Sequence, residues 1–199
     1  MYEEYPVFTS RQKEIIDAAI HLIARKGIQE VTMKNLSREV GISEPALYRH
    51  FNGKHDIMKG ILDSFSYHNK LMSGRPFDPD KTALENLKHT VLQVFRKFTE
   101  YPELSSVIFS EEIFQNEEDL TAQVTDLMAV NREVFKGMIT AGIKDGSLRN
   151  DINKEDMSLI IIGVMRLLVI RWRLSRYSFD LVRRGERLFR RTIQVLLEK

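Results

Sequence analysis

Tyr48, Arg49 and His50 follow one another in this chain, with Glu44 just before them and Lys54 close behind. An arginine guanidinium can bind guanine through two parallel hydrogen bonds, and a glutamate can accept one from cytosine. Tyrosine, histidine and lysine side chains commonly bind the sugar-phosphate backbone. Side chains of these types, grouped within so few residues, indicate recognition of a nucleic acid.

Two short amphipathic helical patterns joined by a glycine turn would position these side chains. Thr32 can cap the first helix, because its side-chain oxygen can accept a hydrogen bond from an otherwise unpaired amide. Leu36 and Val40 lie four residues apart and therefore share one face. Gly41 comes where the helix must end, often with a positive φ, and Ile42 can pack back onto the apolar pair.

The second helix has its own start signals: Ser43 as the cap, and Pro45 in the first turn, where an amide would have no partner within the helix. At about 100° per residue, Leu47 and Phe51 face inward, whereas Pro45 and Arg49 point nearly opposite. The pattern at about 32–51 predicts a helix-turn-helix whose second helix enters a DNA major groove. We predict DNA contacts from Thr32, Ser43, Glu44, Pro45, Tyr48, Arg49, His50 and Lys54.

An ordinary solvated helical hairpin would show the same short pattern, so the neighbouring sequence has to decide between the two. Upstream, the run from Arg11 to Lys26 carries an apolar stripe and ends at Gly27. The run from Arg11 to about Phe65 resembles the DNA-binding domain of the TetR family of bacterial transcriptional regulators. The residues that carry the resemblance are Ala18, Ala19, Gly27, Thr32, Ile42, Ser43, Leu47, Tyr48, His50, Phe51 and Lys54.

The resemblance implies a role for each predicted contact: phosphates for Thr32, Ser43, Tyr48, His50 and Lys54, and bases for Glu44, Pro45 and Arg49. Glu44 and His55 depart from the basic and acidic residues often found at their positions in that family. Charge adds modest support, because residues 9–60 hold nine Lys or Arg against six Asp or Glu, a net of +3.

Composition places the chain among soluble globular proteins, with 43% hydrophobic and 29% charged residues in 199. The absence of cysteine excludes disulfides and thiolate metal sites, and fits a reducing cytoplasm. The N-terminal sequence lacks the basic and apolar regions of a signal peptide. The apolar run Met157–Ile170 contains Arg166 and is shorter than the roughly 20 residues that cross a membrane. We therefore predict a cytoplasmic protein without a membrane partner.

We predict an all-α protein of about nine helices in two domains. Residues 9–68 would form the DNA-binding domain, and residues 69–199 a helical domain for effector binding and dimerisation. Met157–Ile170 is apolar nearly all round, which suggests burial against both its own domain and a partner. After a break at Ser175, a second helix would pair with it at a two-fold interface, or form an internal hairpin in a monomer. The predicted interface residues are Ile161, Met165, Leu168, Trp172, Val182, Phe189 and Ile193.

The middle of the chain is acidic and aromatic, with no Lys or Arg from Phe98 to Asn131. We predict helices from about Asp80, from about Glu103 to Phe114, and from about Glu118 to Lys144. Between them a pocket for an unidentified small-molecule effector would lie, although the same aromatic residues could simply form the core. The predicted pocket residues are His89, Phe95, Phe98, Phe109, Glu112, Met128, Phe135 and Arg166.

The motifs of the common enzyme classes are missing, and the five histidines show no metal-ligand spacing. We therefore predict no catalysis, cofactor or metal. The sequence is best explained by a homodimeric repressor that a small molecule releases from a palindromic double-stranded operator. The same fold could instead act as an activator, or as a helical dimer that binds proteins or ligands and has no role on DNA.

Overall fold

A computed structural model describes residues 8–73, 78–109 and 117–198, and within these the side chains of all but 67–73. The regular secondary structure of the described residues is entirely helical, as predicted, and comprises nine helices when the last three helical segments are counted as one. The chain divides into two compact units. The N-terminal unit comprises Met1–Met72 and Ser106–Asp126, and the C-terminal unit comprises Ser73–Ser105 and Leu127–Lys199.

The N-terminal unit begins with a well-capped helix. Thr9 and Gln12 cap one another at its start, with Gln12 N donating to Thr9 Oγ1 at 3.2 Å and Thr9 N donating to Gln12 Oε1 at 3.0 Å. The side chains of Ile15, Ile16 and Leu47 are completely buried in the core of this unit. Its helices are α1 (Ser10–Lys26), a 3-10 turn (Ile28–Glu30), α2 (Met33–Val40), α3 (Glu44–Tyr48) and α4 (Lys54–Ser73).

Two helices pass from one unit into the other. Residues 106–108 of α6 and 118–126 of α7 belong to the N-terminal unit, and the rest of both helices belongs to the C-terminal unit. The remaining helices are α5 (Ala83–Glu100), α6 (Leu104–Ile108), α7 (Glu118–Asp145), α8 (Lys154–Leu174), α9 (Leu181–Leu188), a π-helical segment (Phe189–Ile193) and α10 (Gln194–Leu197).

These boundaries match the predicted helices that start near Asp80 and Glu118. The predicted break also lies where expected, because α8 ends at Leu174 and Ser175 caps it. The helix predicted from about Glu103 to Phe114 corresponds to α6 as far as Ile108, and residues 110–116 lie outside the described part of the chain.

The end of α7 fixes the start of α5. Asp145 Oδ2 accepts a hydrogen bond from Ala83 N at 2.7 Å, and Ser147 Oγ accepts one from Leu84 N at 3.3 Å. These amides would otherwise lack partners in the first turn of a helix. The pKa of the Asp145 carboxyl is lowered, mainly by the hydrogen bond from the Ser147 side chain and to a smaller extent by hydrogen bonds from the backbone amides of Ala83 and Ser147.

Helix α9 approaches α5 so closely that only glycine fits at the contact. A Cβ atom added at Gly185 would lie 2.3 Å from two ring carbons of Phe95, whose side chain is 1% exposed. Phe95, a predicted pocket residue, therefore packs directly against the α9 backbone. Across the part of the chain that the structure describes, no helix combines the length and apolar character that a membrane crossing requires.

Candidate nucleic-acid interface

The turn between α2 and α3 has the geometry that its residue types predict. Thr32 Oγ1 accepts a hydrogen bond from Asn35 N at 3.1 Å and so caps α2. Gly41 ends that helix in the left-handed region, at φ 73° and ψ 33°. Ile42 N then donates to the Ser37 carbonyl at 2.9 Å, which closes the turn.

The core holds α3 in one orientation. Ser43 Oγ accepts a hydrogen bond from Ala46 N at 3.3 Å, and Pro45 occupies the first turn. Leu47 and Phe51 are 0% and 3% exposed, so they form the inward face. Because both side chains are fixed by packing, the opposite face of this short helix is presented rigidly.

That opposite face carries the residues predicted to meet bases. Glu44, Pro45 and Arg49 are exposed, and the Tyr48 side chain is 50% exposed beside them. The predicted facing of α3 is therefore confirmed, whereas each base or phosphate contact stays a prediction. This surface offers a guanidinium, a carboxylate and a phenolic hydroxyl to a groove.

The capping hydroxyls of Thr32 and Ser43 can serve two purposes at once. Both residues are exposed, and each hydroxyl accepts the capping hydrogen bond through a lone pair. The O–H hydrogen is not used by the cap, so it remains able to donate to a phosphate oxygen. Capping and phosphate binding are therefore compatible at both positions.

Two further predicted contacts are tied into the unit. Lys54 Nζ donates to the Ile28 carbonyl at 3.2 Å, which joins the start of α4 to the 3-10 turn. An ammonium group has three hydrogens, so Lys54 can still bind a phosphate. His50 is half-buried, and its carbonyl accepts from Gln12 Nε2 at 3.3 Å. The end of α3 is thus anchored to α1.

Three polar residues of this region were not among the predicted contacts. Lys34 and Arg38 are exposed one turn apart on α2, and their i, i+4 spacing makes them further candidates for phosphate contacts. Gln12 had no local signal, because its contact with His50 joins residues 38 apart in the sequence.

The predicted pocket residues are distributed unevenly. Phe95, Phe98 and Phe135 are buried, at 1%, 7% and 6% exposure, while Phe109 and Arg166 are half-buried. The structure contradicts the inward placement of two others. His89 is exposed and lies 3.0 Å from Gln93 Nε2 on the same helix, and Met128 is 52% exposed. Both lie on the solvent side of helices whose other faces form the core. Glu112 lies outside the described residues.

The predicted dimer-interface residues also need correction, because most of them belong to the core of the C-terminal unit. Val182 is half-buried, and the other six are no more than 6% exposed. These six are Ile161, Met165, Leu168, Trp172, Phe189 and Ile193. Apolar side chains nevertheless lie exposed on the other faces of α8 and α10. They are Leu159, Ile160, Leu167, Leu174, Val195 and Leu196, between 43% and 73% exposed.

Comparison with known proteins matches both parts of the chain. Residues 15–61 match the family described as "Bacterial regulatory proteins, tetR family", and residues 73–195 match "YsiA-like protein, C-terminal region". The chain is 29% identical over 159 residues to the HTH-type transcriptional repressor KstR2 of Rhodococcus jostii, covering 74% of this chain and 72% of that protein. It is 21% identical over 169 residues to the fatty acid metabolism regulator protein of Bacillus subtilis, covering 85% and 87%.

A solved structure shares the fold. FadR from Bacillus subtilis, a transcriptional regulator in complex with stearoyl-CoA, superposes with a TM-score of 0.77 at 20% identity. The superposition covers 93% of this chain and 97% of that one.

Proposed function

Because the chain belongs to the tetR family of bacterial regulatory proteins and is a DNA-binding transcriptional regulator, we propose that it acts as a homodimeric repressor. A small-molecule effector would release it from a palindromic operator. The exposed face of α3, held by the buried Leu47 and Phe51, is the observation that supports this most directly. Two such helices would enter successive major grooves about 34 Å apart.

DNA recognition is tested by selecting bound fragments from the source genome and measuring their affinity at several salt concentrations. We expect one preferred, roughly palindromic sequence, with affinity that falls steeply as salt rises because phosphate contacts release counterions. Failure to prefer any sequence would contradict the proposal. It would favour the alternative of a ligand-binding or protein-binding dimer without a role on DNA.

Single substitutions separate base contacts from phosphate contacts. Arg49→Ala should cost about 1–3 kcal/mol of operator binding and relax the preference at one base pair. Tyr48→Ala should weaken binding to all sequences alike without changing dimerisation. Arg187→Ala is the matched control, because it removes the same charge from an exposed position on α9. Equal affinities for the operator in Arg49→Ala and the unchanged protein would exclude a base contact at that position.

Dimerisation is assigned to the exposed apolar side chains of α8 and α10. Leu159, Leu167 and Leu174 are 66%, 59% and 73% exposed along one helix, with Val195 at 64% on α10. Clustered apolar side chains at such exposure are typical of protein–protein interfaces. A two-fold arrangement would place the α8 and α10 faces of one copy on those of another, so that each copy buries the same surface.

The interface is tested by the molar mass of the protein in solution. Leu167→Glu should convert a dimer into a monomer, because each subunit would bury an unpaired carboxylate at the contact. Val130→Glu is the control, since Val130 is 43% exposed on α7 rather than on the proposed face. An unchanged dimer in Leu167→Glu would refute this interface, and a monomeric wild-type chain would favour the internal helix hairpin.

The effector is proposed to be a long-chain acyl thioester, by analogy with the stearoyl-CoA complex of the Bacillus subtilis relative. The C-terminal unit supplies the apolar side chains that such a chain requires, since Phe95 and Phe98 of α5 and Phe135 of α7 are buried there. Half-buried Arg166 on α8 would suit the anionic part of the ligand. Ligand binding would move α7, which continues into the N-terminal unit.

The effector class is tested with stearoyl-coenzyme A, coenzyme A and stearate on the preformed operator complex. We expect dissociation by the thioester and not by coenzyme A alone. Trp172 is the only tryptophan of the chain and is 4% exposed in the C-terminal unit, so its fluorescence reports binding independently of DNA. If no acyl thioester changes either signal, the effector belongs to another chemical class.

A further inference from the structure

Three side chains of types that bind metal ions meet in the N-terminal unit. His55 comes from the first turn of α4, Glu117 immediately precedes α7, and Asp119 lies in its first turn. One ligand atom from each residue lies within 4.8 Å of the others. His55 Nε2 and Asp119 Oδ1 are 3.0 Å apart.

The spacing of the closest pair suits a shared metal ion. Two ligand atoms bound to one zinc ion at about 2.0–2.2 Å lie roughly 3.0–3.5 Å apart in tetrahedral or octahedral geometry. His55 Nε2 and Asp119 Oδ1 already have this separation at 3.0 Å. Glu117 is exposed, so rotation about its side-chain bonds can bring its carboxylate oxygen closer. Little backbone movement is therefore needed to complete a three-ligand set.

Two charged side chains beside the cluster, among those that the structure describes, are engaged elsewhere. Asp56 is committed elsewhere, because its Oδ2 accepts hydrogen bonds from Asn52 N at 3.0 Å and from Asn52 Nδ2 at 3.2 Å. The Lys54 ammonium points to the Ile28 carbonyl, at 3.2 Å. Glu118 adds a further exposed carboxylate beside the cluster. Residues 54–59 and 117–119 together hold four carboxylates against Lys54 and Lys59, so the local charge at neutral pH favours a cation. The positive ends of the two helix dipoles offset this attraction only in part.

We propose that His55, Glu117 and Asp119 bind one divalent zinc ion, with water completing its coordination. One imidazole nitrogen and two carboxylate oxygens form a ligand set that zinc accepts in proteins. The ion would fasten the first turn of α7 to the first turn of α4. Gln123 Nε2 already donates to Asp63 Oδ1 at 2.5 Å further along the same two helices, so the ion would add a second attachment.

The experiment titrates Zn²⁺ alone into the untagged full-length chain and follows both heat and the thermal unfolding midpoint. We expect one ion per chain and a midpoint that rises at saturation, because a ligand that binds only the folded state stabilises it. His55→Ala and Glu117→Gln should each lower zinc affinity about 100-fold or more, since even second-shell changes cost about 10- to 100-fold.

His89→Ala is the matched control, because His89 is exposed on α5 and pairs with Gln93 of the same helix, in the C-terminal unit. It should bind zinc as tightly as the unchanged protein. The Glu117→Gln variant keeps the His55–Asp119 pair, so its loss of zinc affinity cannot arise from unfolding of that contact. No zinc binding by the wild-type chain, or undiminished affinity in His55→Ala, would show that the three residues form an ion pair only.

Discussion

Substitution of Gly41 tests how the turn before α3 is specified. Gly41 has φ 73°, and a Cβ atom added there meets nothing within 4 Å. Gly41→Ala therefore introduces backbone strain without a steric clash. Gly137, inside α7, provides the control, because its added Cβ also meets nothing within 4 Å while its φ lies outside the left-handed region.

The two alanine variants should differ in sign. An alanine in the left-handed region costs about 1–2 kcal/mol, and the reduced freedom of the unfolded chain returns about 0.4–1 kcal/mol. Gly41→Ala should therefore destabilise the protein by up to about 1.5 kcal/mol. Gly137→Ala should stabilise it by about 0.5–1 kcal/mol, because alanine is preferred to glycine inside a helix. The difference between the variants is then about 1–2 kcal/mol.

Urea unfolding of the full chain, followed by circular dichroism, measures both free energies of unfolding. Gly41→Asn should recover part of the loss, because asparagine enters the left-handed region more readily than alanine. Equal stabilities of Gly41→Ala and Gly137→Ala would refute the argument that positive φ specifies this turn.

Three further changes test other contacts. Gly185→Ala should lower the free energy of unfolding by about 1–3 kcal/mol, because its Cβ would lie 2.3 Å from the Phe95 ring. An unchanged urea midpoint would contradict that contact. Ser43→Ala should lower the free energy of unfolding by about 1 kcal/mol in the same assay, because it removes the cap of α3, whereas Ser43→Thr should keep most of that stability. The pKa of Asp145 is lowered, chiefly by Ser147, so its stabilising contribution is complete above the unfolded pKa of about 3.9 and disappears as pH falls through the folded value. The difference in thermal midpoint between the wild type and Asp145→Asn should therefore shrink in acid, and a difference independent of pH would exclude the carboxylate as its source.

The start and end of each helix in the N-terminal unit were predictable because they depend on neighbouring residues. Thr32 and Ser43 cap amides three positions away, and Gly41 alone permits the left-handed turn. The alternation of buried Leu47 with exposed Tyr48 also follows from helical period. Interactions within one or two helical turns can therefore be predicted from the types and spacing of neighbouring residues.

The side of α8 that lies in the core of its own chain was mispredicted for a reason of periodicity. Helix α8 carries apolar residues nearly all round, so its pattern does not tell which face lies in the core of its own chain. The structure buries Ile161 and Trp172 and leaves Leu167 and Leu174 exposed. That choice depends on which helices pack against α8, and residue spacing within α8 carries no information about them.

The amino-acid sequence by itself determined the helix-turn-helix, the outward face of α3 and the all-helical architecture, because caps, glycines and apolar period act locally. Only the tertiary structure decided which distant side chains meet. It placed Gly185 against Phe95 and His55 beside Asp119, residues 64 apart in the chain. Such pairs form when whole helices pack, and the free energy of that packing depends on the complete core.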